Sequence, residues 1–188
     1  MADTGTKPRR SIPRESFNHF LVGFVILAKG WAKLVEHPDH PVEILLIFLA
    51  GIFIILGTLF HRRLEEKIKN FTATFHVAEG LALLFIGVIF LREGGSRLQY
   101  FYFFIGAVYL AVGLIFFFCP KEKRERMKVR VQLWIGIAFL AAGILTFFLN
   151  RAGDSSPWAN FVALIFAGAG LAMIVRTILK KKSRIVRI

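Results

Sequence analysis

Residues 71–91 read FTATFHVAEGLALLFIGVIFL, a run in which His76 and Glu79 are the only ionisable side chains. A helix rises about 1.5 Å per residue, so this run covers the roughly 30 Å hydrocarbon core of a bilayer. It shows no alternation of apolar and polar residues, which argues against a barrel strand, and a helix satisfies its own backbone in lipid. The stretch therefore reads as a transmembrane helix. The same reading extends to residues 17–36, 42–61, 99–119, 131–150 and 157–179.

Six such spans use most of the 188 residues, in keeping with a chain that is 56% hydrophobic and carries 21 phenylalanines. What remains is a basic N-terminal arm (1–16), five connections and a basic tail (180–188) around a transmembrane domain at 17–179. That leaves no room for a soluble domain and excludes a soluble enzyme. The expected fold class is an all-α membrane protein of six transmembrane helices.

The net charge of +13 resolves into topology once each basic residue is assigned to a connection. Lys7, Arg9, Arg10 and Arg14 precede the first span, Arg62, Arg63, Lys67 and Lys69 follow the second, and KEKRERMKVR (121–130) follows the fourth. With Arg176 and the tail, 20 of the 25 lysines and arginines fall on one side. Positive residues accumulate on the cytoplasmic side, so both termini are expected there. The basic pI, near 10.5, is then explained by orientation and by anionic lipid headgroups as partners, without nucleic acid. The basic start lacks a small-residue cleavage site and Lys29 interrupts the apolar run, so the first span is expected to be retained. Cys119, the one cysteine, is expected to be an apolar structural thiol.

The glycines disclose a repeat. Gly23 and Gly30, Gly80 and Gly87, and Gly136 and Gly143 are each seven apart, and the units are offset by 57 and 56 residues. In the partner helices the corresponding positions read Ala50 and Gly57, Gly106 and Gly113, then Gly168 and Val175. Seven residues is nearly two helical turns, so each pair lies on one face and lets a second backbone approach. The chain thus reads as three hairpins, about 17–61, 71–119 and 131–179, arranged as a pseudo-threefold bundle.

Three hairpins in fewer than 200 residues, punctuated by GFVILAKG (23–30), GLALLFIG (80–87) and GIAFLAAG (136–143), resemble the HdeD family of short-repeat acid-resistance membrane proteins. The resemblance covers residues 17–179. It implies a bacterial inner-membrane location and a loose link to acid stress, without an established transport or catalytic mechanism. His19, Lys29, His76 and Glu79 are polar additions to that pattern.

The repeat also organises the polar residues. Four positions before Gly23, Gly80 and Gly136 stand His19, His76 and Gln132, which places three hydrogen-bonding side chains at one depth near the cytoplasmic end. Glu79, three residues after His76, shares its face. A charged carboxylate inside a span is costly, so Glu79 should be protonated or paired with His76 or with a basic group of another helix. The cluster His19, His76, Glu79 and Gln132 can serve as a proton or cation relay or as a polar clasp between helices.

On the opposite side, EHPDHPVE (36–43) gathers His37, Asp39, His40 and Glu43, a set that changes charge on acidification or holds a metal ion weakly. The prolines equally fit a solvated turn. Lys29 and Lys33 are expected to snorkel to the headgroups, and Trp31, Trp158, Tyr100 and Tyr102 to form an aromatic belt. No cofactor is expected, although two histidines at one depth also resemble the bis-imidazole ligation of a b-type haem. GxSxG, HExxH, P-loop and CxxC motifs are all missing, and no serine lies in the six spans, so no enzyme class is indicated. The leading reading is an HdeD-like stress protein with proton-responsive residues. The alternatives are a small proton-coupled transporter or channel and a haem carrier.

Overall fold

The computed structural model describes residues 17–36, 38–93, 98–152 and 157–185. Every regular element in them is helical: α1 (Phe17–Glu36), α2 (Pro41–Leu59), α3 (His61–Lys67), α4 (Phe71–Glu93), α5 (Leu98–Phe118), α6 (Lys121–Arg151) and α7 (Pro157–Ile185). By length and composition α2, α4 and α5, with Met127–Arg151 of α6 and Pro157–Leu179 of α7, are able to cross a membrane. Helix α1 has comparable length, 20 residues, but Asn18, His19, Lys29 and Lys33 dilute its apolar character. The chain is a multi-pass, all-α membrane protein.

Its surface supports that statement. Phe24, Trp31, Phe53, Leu81, Phe85 and Leu164 point outward with a large fraction of their area exposed. Contiguous apolar cover of this kind is foreign to a soluble monomer and suits lipid. The interior is packed with Ile26, Ile47, Leu83, Ile105, Phe139 and Phe166. Lipid tails are as apolar as these side chains, so close packing and internal hydrogen bonds hold the bundle together more than exclusion of water does.

The helices associate in pairs, α1 with α2, α4 with α5 and α6 with α7. Each pair crosses at glycine. A Cβ placed on Gly80 would lie 2.6 Å from the Leu110 amide nitrogen and 2.8 Å from the Gly106 carbonyl oxygen. Gly23 faces the Gly51 carbonyl and Gly136 the Gly170 carbonyl, both at 3.2 Å from the position a Cβ would take. The partner glycines of the first and third pairs are thus Gly51 and Gly170, not Ala50 and Gly168; Gly168 has open space around it. A constant sequence offset fails there because the segment joining the crossing points lengthens, from 26 residues between Gly80 and Gly106 to 34 between Gly136 and Gly170.

Two connections differ from the expectation of plain loops. The stretch after α2 forms the short helix α3, which ends at Ile68 in extended backbone. Asn70 then turns the chain into α4 at φ 62°, a left-handed conformation that asparagine tolerates better than most residues. Residues 121–130 continue α6 rather than linking to it, giving a helix of 31 residues, long enough to project beyond a bilayer. Pro120 starts it at φ −56°, and Arg124 then donates to the Asn70 side chain at 3.0 Å and to the Cys119 carbonyl at 3.1 Å. The basic end of the bundle is held together by these contacts.

Candidate functional site

Near the start of α1 and one to three turns into α4, the two helices bring His19, His76 and Glu79 together. His76 lies one turn after Thr72, and its Nδ1–H donates to the Thr72 carbonyl at 2.7 Å, which fixes the ring and leaves Nε2 as the nitrogen able to accept. His19 reaches across from α1 and meets the Glu79 Oε2 through Nδ1 at 2.5 Å. Such a contact is a hydrogen bond when either the imidazole or the carboxyl carries the proton. The two rings meet edge to face with centroids 4.8 Å apart.

Glu79 is fully buried, at 0% exposure, and His19 and His76 nearly so. A lone carboxylate in this setting would carry a heavy desolvation cost, so the His19 contact is what makes the position tenable. The second carboxyl oxygen, Oε1, has no hydrogen-bond partner among the described residues, and neither has the Tyr109 hydroxyl. Tyr109 of α5 closes the site, with its ring centroid 5.5 Å from that of His19 and 5.8 Å from that of His76. Its position follows from the helix crossing: Tyr109 is three residues after Gly106, and Glu79 is next to Gly80, the other member of that crossing.

A cavity of about 390 Å³ leads from this cluster toward the end of the bundle that carries the basic connections. Asn18, His19 and His76 form its inner part; Gln132 and Lys128 of α6 form one wall, and His61, Arg62 and Glu65 of α3 stand at its mouth. Thr72 ties mouth to floor, since its hydroxyl donates to Glu65 at 3.0 Å and lies 3.3 Å from His61 Nε2, while its carbonyl holds His76. The arrangement is a polar passage from the basic end to an internal acid–imidazole pair. Such a pair can accept, share and release a proton.

Of the sequence candidates, His19, His76 and Glu79 form the cluster, and Gln132 lines its cavity. The opposite-side set is only partly within the described residues. His37 lies outside the described residues, Asp39 and His40 are exposed in the turn, and Glu43 pairs with Lys33. Among the described residues no three His, Cys, Asp or Glu side chains are placed to hold a metal ion. Lys33 does not snorkel: it is 2% exposed, because Glu43 at the start of α2 meets its ammonium inside the helix pair. Lys29 is mostly covered as well, 4.0 Å from Glu36 and 5.3 Å above the Phe90 ring, so its cation is met by a carboxylate and a π-face.

The aromatic belt is likewise revised. Trp31 and Tyr100 face outward, whereas Tyr102 is buried and stacks on Phe90 at 5.3 Å, and Trp158 packs against the core. The two histidine rings touch edge to face, so in this arrangement no porphyrin plane fits between them. Tyr109, Thr72 and His61 were not marked by the sequence patterns. For Tyr109 the usable signal was its place one turn beyond the crossing glycine. No family model matches this chain, and no curated protein or solved structure matches it either.

Proposed function

We propose that this chain is a proton-binding membrane protein whose His19–Glu79–His76 cluster exchanges protons with the cytoplasm through the cavity at the basic end. One observation carries the reading: a fully buried carboxyl lies within hydrogen-bond distance of His19, an imidazole that lines a cavity open toward the basic end. In this reading the protein has six spans, α1 included, built as three hairpins with both termini cytoplasmic. Arg124, Lys128 and Arg130 of the projecting α6 then lie at the anionic headgroup level. The resemblance of the glycine-punctuated helices to the HdeD family supports a non-enzymatic role in acid stress at a bacterial inner membrane.

A proton-binding role and a structural clasp make different demands. A clasp needs only a persistent contact; a proton site needs the Glu79 carboxyl to gain or lose its proton as pH changes. Infrared difference spectra of the full chain in lipid, taken across about pH 5 to 8, test this directly. The expected result is a carboxylic C=O band that changes with pH and is missing in Glu79→Gln. A wild-type spectrum without such a band, alongside reduced thermal stability of His19→Ala and Glu79→Ala, would leave the clasp.

A further inference from the structure

The cavity approaches the cluster from the basic end, and proton exchange on one side does not by itself cross a membrane. The other half of the bundle contains a second set of groups that suits the crossing. Among the described residues six buried side-chain polar atoms have no hydrogen-bond partner, and four belong to the α4–α5 pair: Glu79 Oε1, Tyr109 Oη, Tyr102 Oη and Gln99 Oε1. Buried polar atoms are satisfied in nearly all native proteins, so a concentration on one helix pair calls for a shared partner. Water is the partner that a row of hydroxyl and carbonyl oxygens takes.

The three α5 residues have a helical register. Gln99 and Tyr102 are three apart and share a face, and Tyr109 is two turns further, about 10 Å along the axis. The interval between the tyrosines is apolar and largely aromatic. Phe101 meets Phe166 at 4.6 Å, Phe166 meets Phe139 at 4.9 Å, and Phe139 lies beside Tyr109, with Ile105 fully buried among them. Toward the opposite end the helix pairs also differ. Lys33–Glu43 joins α1 to α2 and Asn150 donates to Asn160 between α6 and α7, whereas Gln99 leaves its oxygen unpartnered in the α4–α5 pair.

We infer that α5 extends the proton path across the bundle, with Tyr109 as the relay after Glu79, Tyr102 and Gln99 as the exit relay, and the Ile105–Phe139–Phe166 layer as the barrier between them. This rests on the proton-binding reading of Glu79. At each phenol the oxygen accepts a proton from a hydrogen-bonded water, which at Tyr109 takes it in turn from the Glu79 carboxyl, and the phenol's own O–H proton passes to the next water, so the tyrosine ends unchanged. An apolar layer of this kind blocks conduction while dry and passes protons when water enters it. The titratable groups facing the inner relay are His19, His76 and Glu79. From α6 the facing group is Phe139, and Lys29 approaches the exit relay through Phe90.

Proton flux into proteoliposomes holding a pH-sensitive dye, driven by a potassium diffusion potential, tests the path with the full chain. Wild type is expected to exceed protein-free vesicles. Tyr109→Phe and Tyr102→Phe, which keep the rings, are expected to cut the flux at least about tenfold, and Tyr100→Phe on the lipid side to leave it unchanged. Phe139→Ala, which opens the barrier, is expected to raise it and so reports on the path even if a tyrosine variant folds poorly. The path is overturned if wild type and Phe139→Ala both match protein-free vesicles while the Glu79 infrared band still responds to pH. It is also overturned if folded Tyr102→Phe and Tyr109→Phe carry full flux. Loss of the infrared response itself would instead remove the proton site on which the path depends.

Discussion

Two acid–base pairs lie toward opposite ends of this bundle, and they are built differently. Lys33 and Glu43 are ten residues apart, across the turn that joins α1 to α2, and Glu43 keeps about a third of its side chain exposed. His19 and Glu79 are sixty residues apart, on helices from different pairs, and Glu79 has no exposed surface. The first pair is a local closure of one helix pair. The second joins separate pairs, opens onto a cavity, and leaves a carboxyl oxygen and a neighbouring phenol unsatisfied. Burial alone therefore does not mark a site. A long-range contact with spare hydrogen-bonding capacity does, since a saturated local pair has nothing left to offer a proton or ligand.

The largest effect expected from breaking this contrast is on stability at the local pair. Glu43→Ala takes away the carboxylate that meets a buried ammonium, and the expected loss is about 3–5 kcal/mol, read from thermal unfolding in detergent or nanodiscs. The double change Lys33→Met with Glu43→Leu should recover most of that loss, because an apolar pair of similar volume fills the same space without desolvated charge. Proton uptake at the Glu79 carboxyl should be the same in both variants as in wild type. A change in the infrared band of the double variant would show that the two pairs are coupled, and the contrast would fail.

The next effect lies at the cluster. Glu79→Gln keeps the size of the side chain and can still hydrogen-bond His19, so the expected stability loss is about 1 kcal/mol, while the carboxyl band disappears. His19→Ala is expected to cost more, about 1–3 kcal/mol, since it leaves the carboxyl without its imidazole partner in a buried setting. Equal stability losses in the two variants would make the contact a clasp and erase the difference between the two regions.

How far these features could be read in advance depends on which contacts they use. His19 and His76 stand at the same distance before Gly23 and Gly80, so their common depth is visible in the spacing, as is the presence of Gln132 on the same level. Five of the spans follow from length and hydropathy, whereas α1 is more polar. The His19–Glu79 contact is not visible, because periodicity on α4 places Glu79 near His76 and says nothing of the rotation of α1. Lys33 misleads for a related reason: a lysine near a helix end usually extends to the headgroups, but here the short turn to α2 brings Glu43 within reach first. Tyr102 and Tyr100 look alike in sequence, and only the face of α5 that packs on α4 separates the buried one from the exposed one.

The glycines allow a finer version of the same contrast between closed and open positions. Gly80→Ala places a methyl 2.6 Å from the Leu110 nitrogen, against backbone that cannot swing aside, so α4 and α5 must separate. The expected loss is about 1–3 kcal/mol, together with a displaced Tyr109, since both ends of that crossing hold the cluster. Gly168→Ala has the smallest expected effect and the opposite sign. Its Cβ meets nothing within 4 Å, and alanine restricts the unfolded chain, so a gain of up to about 1 kcal/mol is expected. Measured side by side, the two alanines separate glycines that hold helices together from those that merely punctuate a span. If Gly168→Ala destabilises as much as Gly80→Ala, then α7 crosses α6 at Gly168 after all, and the third pair returns to the even spacing of the sequence repeat.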